Sequence, residues 1–401
     1  MIDVAQAFEL LDTSISTLST EVVSLDDALG RVAAIEVRSK INLPPFAQSA
    51  MDGYALRSED LVDATDEAPV GLIQAGEVAA GEAGELPKIG KGQTARVFTG
   101  GRIPPGADAV VRQEDAGGEG GAVVFRRSVA HGNDIRDVGE ELQQGARLVS
   151  AGERLEERHI GVLSMCGHGE VEVYRAPVIT LLISGDEIVA PGEPLPPGAV
   201  YDANRPFLAG WLRRRGYRDV RIVPLADTRE AVEQELTRAF EVSDLVISTG
   251  GVSVGDYDFF TDAAEAMGLE TVFWRVKQRP GKPLLFAKGA KAVLLGVPGN
   301  PGAVFVSAYV YVRRVLDLLE GATEPGPSMR SGVLGEAVGR CAWRETWCGC
   351  VLEDGGDGVA RLTPVGGSAM TQLYRADAIA RIPTGAGEMS AGSTVQWFPL
   401  N

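Results

Sequence analysis

The chain of 401 residues is long for a single core and predicts two to four domains. Apolar residues make up 45% and charged residues 23%, the balance of a soluble globular protein, which excludes a disordered chain. With 38 basic against 55 acidic residues the formal net charge is −17. That excludes the dominant basic face of a duplex nucleic-acid binder, and it requires any anionic substrate to be met by a local basic cluster or a metal ion.

The first stretch, MIDVAQAFELLDT, reads as an amphipathic helix capped by Asp3 and containing Val4, Phe8, Leu10 and Leu11. It carries acid where a signal peptide carries basic charge, and no uninterrupted apolar run nears the roughly 18 residues of a membrane helix. The expectation is a cytoplasmic protein with no membrane partner. From Ile41 to Glu114 short apolar pieces are broken by Gly and Pro and read as β-rich; after His131 the pattern turns helical again. This predicts a mixed α/β N-terminal domain of residues 1–42 and 131–175, with a β-rich domain of residues 43–130 inserted into it.

Residues 176–322 alternate strand, loop and helix. PVITLLIS is a buried strand ending at GDE, and NRPFLAGWLRRRG is a helix with Pro206 near its first turn. RDVRIVPL is a strand, after which Asp227 is expected to cap the helix TREAVEQELTRAF, with Glu230 completing a capping box. DLVIST runs into GGVSVGDYD, and AVLLGV ends at PGNP before a long helix. The prediction is a doubly wound α/β domain with a parallel sheet and helices on both faces. GATEPGPS is a linker, and residues 328–401 read as a small β-barrel. The whole is an α/β and β multidomain chain.

In an open α/β sheet, ligands bind beyond the carboxyl ends of the strands, at the switch in strand order. Three loops fall at such ends: Ser184-Gly185-Asp186-Glu187, the run from Thr249 to Asp258, and Pro298-Gly299-Asn300-Pro301. In the second, Gly250, Gly251 and Gly255 let backbone N–H groups approach an anion, and Ser253 adds a hydroxyl. Asp186, Glu187, Asp256 and Asp258 would repel a bare phosphate, a conflict that a hard cation such as Mg²⁺ resolves by bridging the two. The bland alternative, that GDE is an ordinary turn, holds for that loop alone. A ten-residue TGGVSVGDYD exceeds what a strand-to-helix connection needs.

The basic counterpart is FWRVKQRPGKPLLF. In extended chain Arg275, Lys277 and Arg279 share a face, and Pro280-Gly281 turns the chain so that Lys282 points separately. The alternative is a charged edge strand. His131, His159 and His168 are too few for a His-rich metal site, and Cys166, Cys341, Cys348 and Cys350 form no CxxC pair and read as free thiols.

SAMDGYALR (Ser49 to Arg57), VFTGGRIPPGADAVVRQED, SGDE, TGGVSVGDYD, PGKP (Pro280 to Pro283) and PGNP follow one another along the chain. In that order they resemble the signature blocks of the MoeA/gephyrin-type molybdopterin molybdenumtransferases, from the first helix to the last strand. The resemblance implies a four-domain homodimer that joins adenylylated molybdopterin and molybdate, with Mg²⁺, into molybdenum cofactor and AMP, downstream of a molybdopterin adenylyltransferase. It implies that Glu187, Asp256 and Asp258 handle Mg²⁺ and the phosphoanhydride, and that Ser253 and its glycines hold phosphate. Asp52 and Thr99 of the inserted domain would close over the site across the dimer interface. Lys282, Pro283 and Ser368 would hold molybdate, and Asp227 would act near the nucleotide.

The chain departs from the family pattern at four places, all bearing on anion binding. PxFDNS becomes Pro45-Phe46-Ala47-Gln48-Ser49. Arg279 replaces the first Lys of KPGKP, keeping charge but changing geometry. PGNPVS becomes PGNPGA, so Ala303 lacks a hydroxyl. Aligning RETWCGCVL with RxxFxRxxL puts Gly349 where an oxyanion-binding Arg belongs, with Arg344 and Arg375 as the residues to replace it. Beside the insertase stand two other readings: a paralogous protein that binds molybdopterin or the finished cofactor without efficient insertion, and a phosphoanhydride hydrolase of other nucleotides. Tungstate has the same charge and nearly the same shape as molybdate.

Overall fold

A computed structural model of the chain describes residues 1–252, 259–354 and 358–400. The central sheet has six strands, in the order Val220–Leu225, Ile179–Ser184, Leu245–Thr249, Val293–Val297, Leu285–Lys288 and Glu270–Trp274. The first four run parallel; the sequence pattern did not reveal that Leu285–Lys288 is antiparallel to both its neighbours. Alternation along the strands divides the apolar residues between two cores. Ile179, Leu181 and Ile183 face the helices Asn204–Arg214 and Pro301–Ser307, whereas Leu182 and Val246 pack with Val232, Leu236, Phe260 and Ala263 on the other side. The long helix continues through a π-helical segment, Ala308–Val312, to Arg313–Leu319.

The C-terminal strands close into a barrel. Glu345–Asp354, Ala360–Pro364, Arg330–Leu334, Thr394–Pro399 and Ala378–Ile382 pair in a ring, the last returning to the first. Trp347 and Phe398 of the barrel lie in the same core as the long helix, so barrel and α/β domain share one apolar interior. Each such fully buried side chain contributes about 1.5–3 kcal/mol.

Thr20–Ser24 pairs with Glu170–Tyr174, and Val37–Arg38 with Arg147–Val149, so segments on both sides of the inserted region build one small core around Leu25, Val149, Leu163 and Val173. The first helix, Val4–Ser14, is capped by Asp3, whose carboxylate accepts from the N–H of Gln6 at 2.8 Å. Its Val4, Ala7 and Leu11 are buried in the α/β core, and Phe8 packs on Tyr311. The N-terminal and α/β domains are tied by Arg154, which donates to Asp317 and Glu320, each at 2.7 Å; Tyr217 donates to Glu320 at 2.8 Å. The inserted region is a six-stranded sheet in which Gly53–Leu56 lies between Ala109–Arg112 and Gln93–Val97.

Candidate active site

The chain goes from Ile179–Ser184 outward to Val220–Leu225 and then back across to Leu245–Thr249. The switch in strand order therefore lies between Ser184 and Thr249, the place at which open α/β sheets bind their ligands. Three loops pack on one another there. The Ser184 hydroxyl donates to the Thr249 carbonyl at 3.2 Å, and the Gly250 N–H donates to the Val297 carbonyl at 3.2 Å. A Cβ on Gly250, which has φ +82°, would stand 2.9 Å from Ser184 Oγ; one on Gly299 would stand 3.5 Å from Gly250 Cα. Glycine is required at 250 both by conformation and by space.

Gly185 (φ +144°) turns the chain so that Asp186 meets the loop after the neighbouring strand. The Asp227 N–H donates to Asp186 Oδ1 at 3.1 Å, and the Asp186 N–H to Asp227 Oδ2 at 3.4 Å. This corrects the expected capping role of Asp227. Thr228 caps the helix Arg229–Val242, its hydroxyl accepting from the Ala231 N–H at 3.3 Å, so the Asp227 carboxylate is not consumed by the helix. Burial raises the Asp227 carboxyl above its ordinary range, and the like charges of Asp186 and Glu187 add to the shift against hydrogen bonds from the Asp186 backbone and Ser184. Among the described residues, no Lys or Arg forms an ion pair with Asp186, Glu187 or Asp227. No three described His, Cys, Asp or Glu side chains make up a metal cluster. Ser253, Gly255, Asp256 and Asp258 lie outside the described residues.

At the third loop the Asn300 amide oxygen accepts from the Gly302 N–H at 3.0 Å and caps the Pro301–Ser307 helix. Asn204, missed in the sequence because it reads only as the start of a helix, donates to the Gly299 carbonyl at 2.8 Å. Its Oδ1, with the hydroxyls of Ser248 and Thr249, is buried with no hydrogen-bond partner. Ser368 comes to this loop from the barrel: a Cβ on Gly302 would sit 1.8 Å from the Ser368 carbonyl oxygen.

The basic segment differs from the expected extended face. Arg275 adopts φ +70° and stacks 3.6 Å from the Trp274 ring centroid, which breaks the alternation before Lys277 and Arg279. The Arg279-Pro280-Gly281-Lys282-Pro283 turn is held instead by Gln278, fully buried and also missed in the sequence. Gln278 donates to the Gly281 carbonyl at 2.8 Å and accepts from the Tyr311 hydroxyl at 2.6 Å and Trp347 Nε1 at 3.0 Å. Lys282 Nζ lies 5.8 Å from the Trp343 ring centroid, and the Arg344 guanidinium lies 4.2 Å from the same ring. Arg375 is bound to the Tyr374 hydroxyl at 3.1 Å. Gly349 sits beneath apolar cover, where a Cβ would meet Leu373 at 2.6 Å and Val365 at 3.1 Å, so no long side chain fits.

In the inserted domain Asp52 Oδ1 accepts from the backbone N–H and the hydroxyl of Thr99, both at 2.8 Å. These bonds, the backbone one foremost, hold the Asp52 carboxyl below its ordinary range. Among the described residues no hydrogen bond or ion pair joins this domain to the three loops of its own chain.

An α/β domain with three loops packed at its switch point, a closed barrel docked on it and a β-rich insert define a MoeA-like multidomain protein. Residues 2–167 match the MoeA N-terminal region (domain I and II), and residues 180–317 match the probable molybdopterin binding domain. The chain is 33% identical over 398 residues to the molybdopterin molybdenumtransferase of Nostoc sp., covering 97% of this chain and 90% of that one. It is 32% identical over 388 residues to that of Haemophilus influenzae, covering 95% and 94%. The solved molybdopterin biosynthesis MoeA protein of Pyrococcus horikoshii OT3 matches over 100% of both chains with a TM-score of 0.81 at 27% identity. The chain belongs to the molybdopterin molybdenumtransferase family, transferases of molybdenum cofactor biosynthesis.

Proposed function

We propose that this protein joins adenylylated molybdopterin and molybdate into molybdenum cofactor with release of AMP, acting as a homodimer in the cytoplasm downstream of a molybdopterin adenylyltransferase. The observation that carries the reading is the group of loops at the switch point. There, carboxylates that form no ion pair among the described residues lie with close-packed glycine backbone, and the segment bearing Arg279 and Lys282 leaves the same end of the sheet, where Leu285 pairs with Gly296.

Asp186, Glu187 and Asp227 offer hard oxygen donors to Mg²⁺ and, among the described residues, form no ion pair with Lys or Arg, although by themselves they make no three-ligand cluster; burial first, and the charges of Asp186 and Glu187 after it, raise the Asp227 carboxyl. Glu187 would hold the ion with Asp256 and Asp258. When bound, Mg²⁺ offsets the charge of the phosphoanhydride and polarises it toward cleavage. The backbone N–H groups of Gly251 and Gly255, with Ser253, would receive phosphate oxygens; the Gly250 N–H already donates to the Val297 carbonyl, so Gly250 would serve by its close approach between Ser184 and Gly299. Asp227 would face the nucleotide. Lys282, Pro283 and Ser368 would hold the oxyanion, with Arg344 supplying the positive charge that Gly349 cannot. Asp52 and Thr99 of the partner subunit's inserted domain would close over the site; their rigid clasp supports a positioning role.

The test is AMP release from adenylylated molybdopterin with Mg²⁺, with and without molybdate or tungstate, while cofactor formation is followed. Molybdate-dependent release with cofactor formed is the expected result. Tight pterin binding with no molybdate-dependent turnover would overturn it in favour of a carrier.

A further inference from the structure

The helix Asn204–Arg214 starts at the switch-point loops, where Asn204 holds Gly299, and ends far from them: eleven residues span ~16 Å at a helical rise of about 1.5 Å per residue. At its far end a cavity of about 1030 Å³ opens between the α/β domain and the N-terminal domain. One wall carries Arg213, Arg214, Arg215 and Arg218, with Arg313 from the long helix. The side chains of the first four make no hydrogen bond or ion pair among the described residues.

Arg213 and Arg214 lie in the last helical turn, where they complement the helix dipole. The dipole does not account for Arg215 and Arg218 beyond the helix, nor for Arg313 on another one. Arg215 stacks 3.7 Å from the Trp211 ring centroid, with Tyr309 at 5.3 Å, so its planar fork is fixed before any ligand arrives. Burial, together with the like charges of Arg313 and Arg214, pulls this guanidinium down to about 10. Asp317 opposes that shift and pairs with Arg313 at 3.6 Å, but Arg213, Arg214, Arg215 and Arg218 form no ion pair among the described residues, and an anion would relieve the repulsion among them.

The facing wall carries Asp26, Asp27, Glu156 and Glu157 beside Arg31 and Arg154, while Asp317 and Glu320 line the cavity on the arginine side. The two walls are locked by the Arg154 bonds to Asp317 and Glu320, so they form a preset cleft. Its volume, near the upper end of the roughly 300–1,000 Å³ of small-molecule sites, accommodates a nucleotide.

We infer that this cavity binds a di- or triphosphate group, taken either from free pyrophosphate or from a nucleoside di- or triphosphate. The phosphates meet the Arg213–Arg218 wall in charge-assisted, bidentate fashion. A nucleoside, where present, turns its N–H donors to the carboxylates of the facing wall. The site is separate from the proposed active site and does not rest on the transferase reading.

The experiment is calorimetric titration of the full chain with pyrophosphate and with ADP, without Mg²⁺ and at low salt. Saturable binding that weakens with salt is expected, falling about tenfold or more in the Arg214→Ala/Arg218→Ala double variant. Both side chains are exposed, and an unchanged melting temperature shows that the fold survives. Lys282→Ala should bind both probes as the unmodified chain does. Tighter binding of ADP identifies the nucleoside source, and equal binding identifies the diphosphate alone. No saturation up to millimolar probe, undiminished binding in the double variant, or loss in Lys282→Ala instead would overturn the proposal.

Discussion

The carbonyl oxygen of Ser368 occupies the space that a side chain on Gly302 would need, 1.8 Å from the position of its Cβ. The barrel thus approaches the Pro298–Asn300 loop as closely as backbone permits, and glycine at 302 is the condition for that contact. Gly302→Val must push the Gly366–Ser368 turn away from that loop. Overpacking against backbone costs about 1–3 kcal/mol, so the melting temperature should fall. The molybdate-dependent step should fall further than pterin binding. A variant with unchanged turnover would separate Ser368 from the site.

Gln278 joins three elements: the Gly281 turn, the long helix through Tyr311, and the barrel through Trp347. Gln278→Leu strands two buried donors, and each costs about 1–3 kcal/mol when left unsatisfied. Adding Tyr311→Phe to that variant removes one stranded hydroxyl and should recover part of the loss. Denaturant midpoints of the two single variants and the double variant measure the coupling; strict additivity would contradict the network.

The sequence made the strand-end loops legible, since PVITLLIS, DLVIST and AVLLGV are apolar runs cut off by glycine or Asp-Glu. It showed less clearly what depends on distant partners. Asp227 and Thr228 both suit a helix N-cap, and only the approach of Asp186 from 41 residues away decides which of them caps. The shared face expected of Arg275, Lys277 and Arg279 fails because Arg275 turns left-handed where it stacks on Trp274. The first helix looks like part of the N-terminal domain, yet its buried face is matched by Tyr311 and Leu316, some three hundred residues on. Gly349 reads as a lost arginine, and its reason is visible only in Leu373 and Val365 lying over it.

Asp52 is tied to Thr99 by two bonds to a single oxygen, and both favour the ionised carboxyl. Because its folded-state pKa is lowered, its clasp on Thr99 stabilises the fold above the carboxyl's unfolded value and is lost as pH falls through the folded one. Thr99→Val removes the hydroxyl bond and should move the Asp52 titration upward toward the usual carboxylate range. NMR titration of the Asp52 carboxyl carbon in both proteins reads the shift directly; equal midpoints would show that the hydroxyl bond is absent in solution.

Asp227 carries the opposite sign. Burial and the charges of Asp186 and Glu187 raise its folded-state pKa, so stability present below the unfolded value is lost as pH rises through the folded one. Asp227→Asn keeps an oxygen to accept the Asp186 N–H while removing the charge. It should therefore raise the melting temperature at pH 7 and do so less at pH 4, because the native carboxyl takes up its proton as pH falls. Yet, on the proposed function, the same substitution should lower AMP release by about tenfold or more, since it takes away a charge assigned to the nucleotide side of the site. Melts at the two pH values, set beside turnover, separate the two roles. A destabilised variant at pH 7 would show that Asp227 is held by attraction, and the site would then have no excess of negative charge for a cation to relieve.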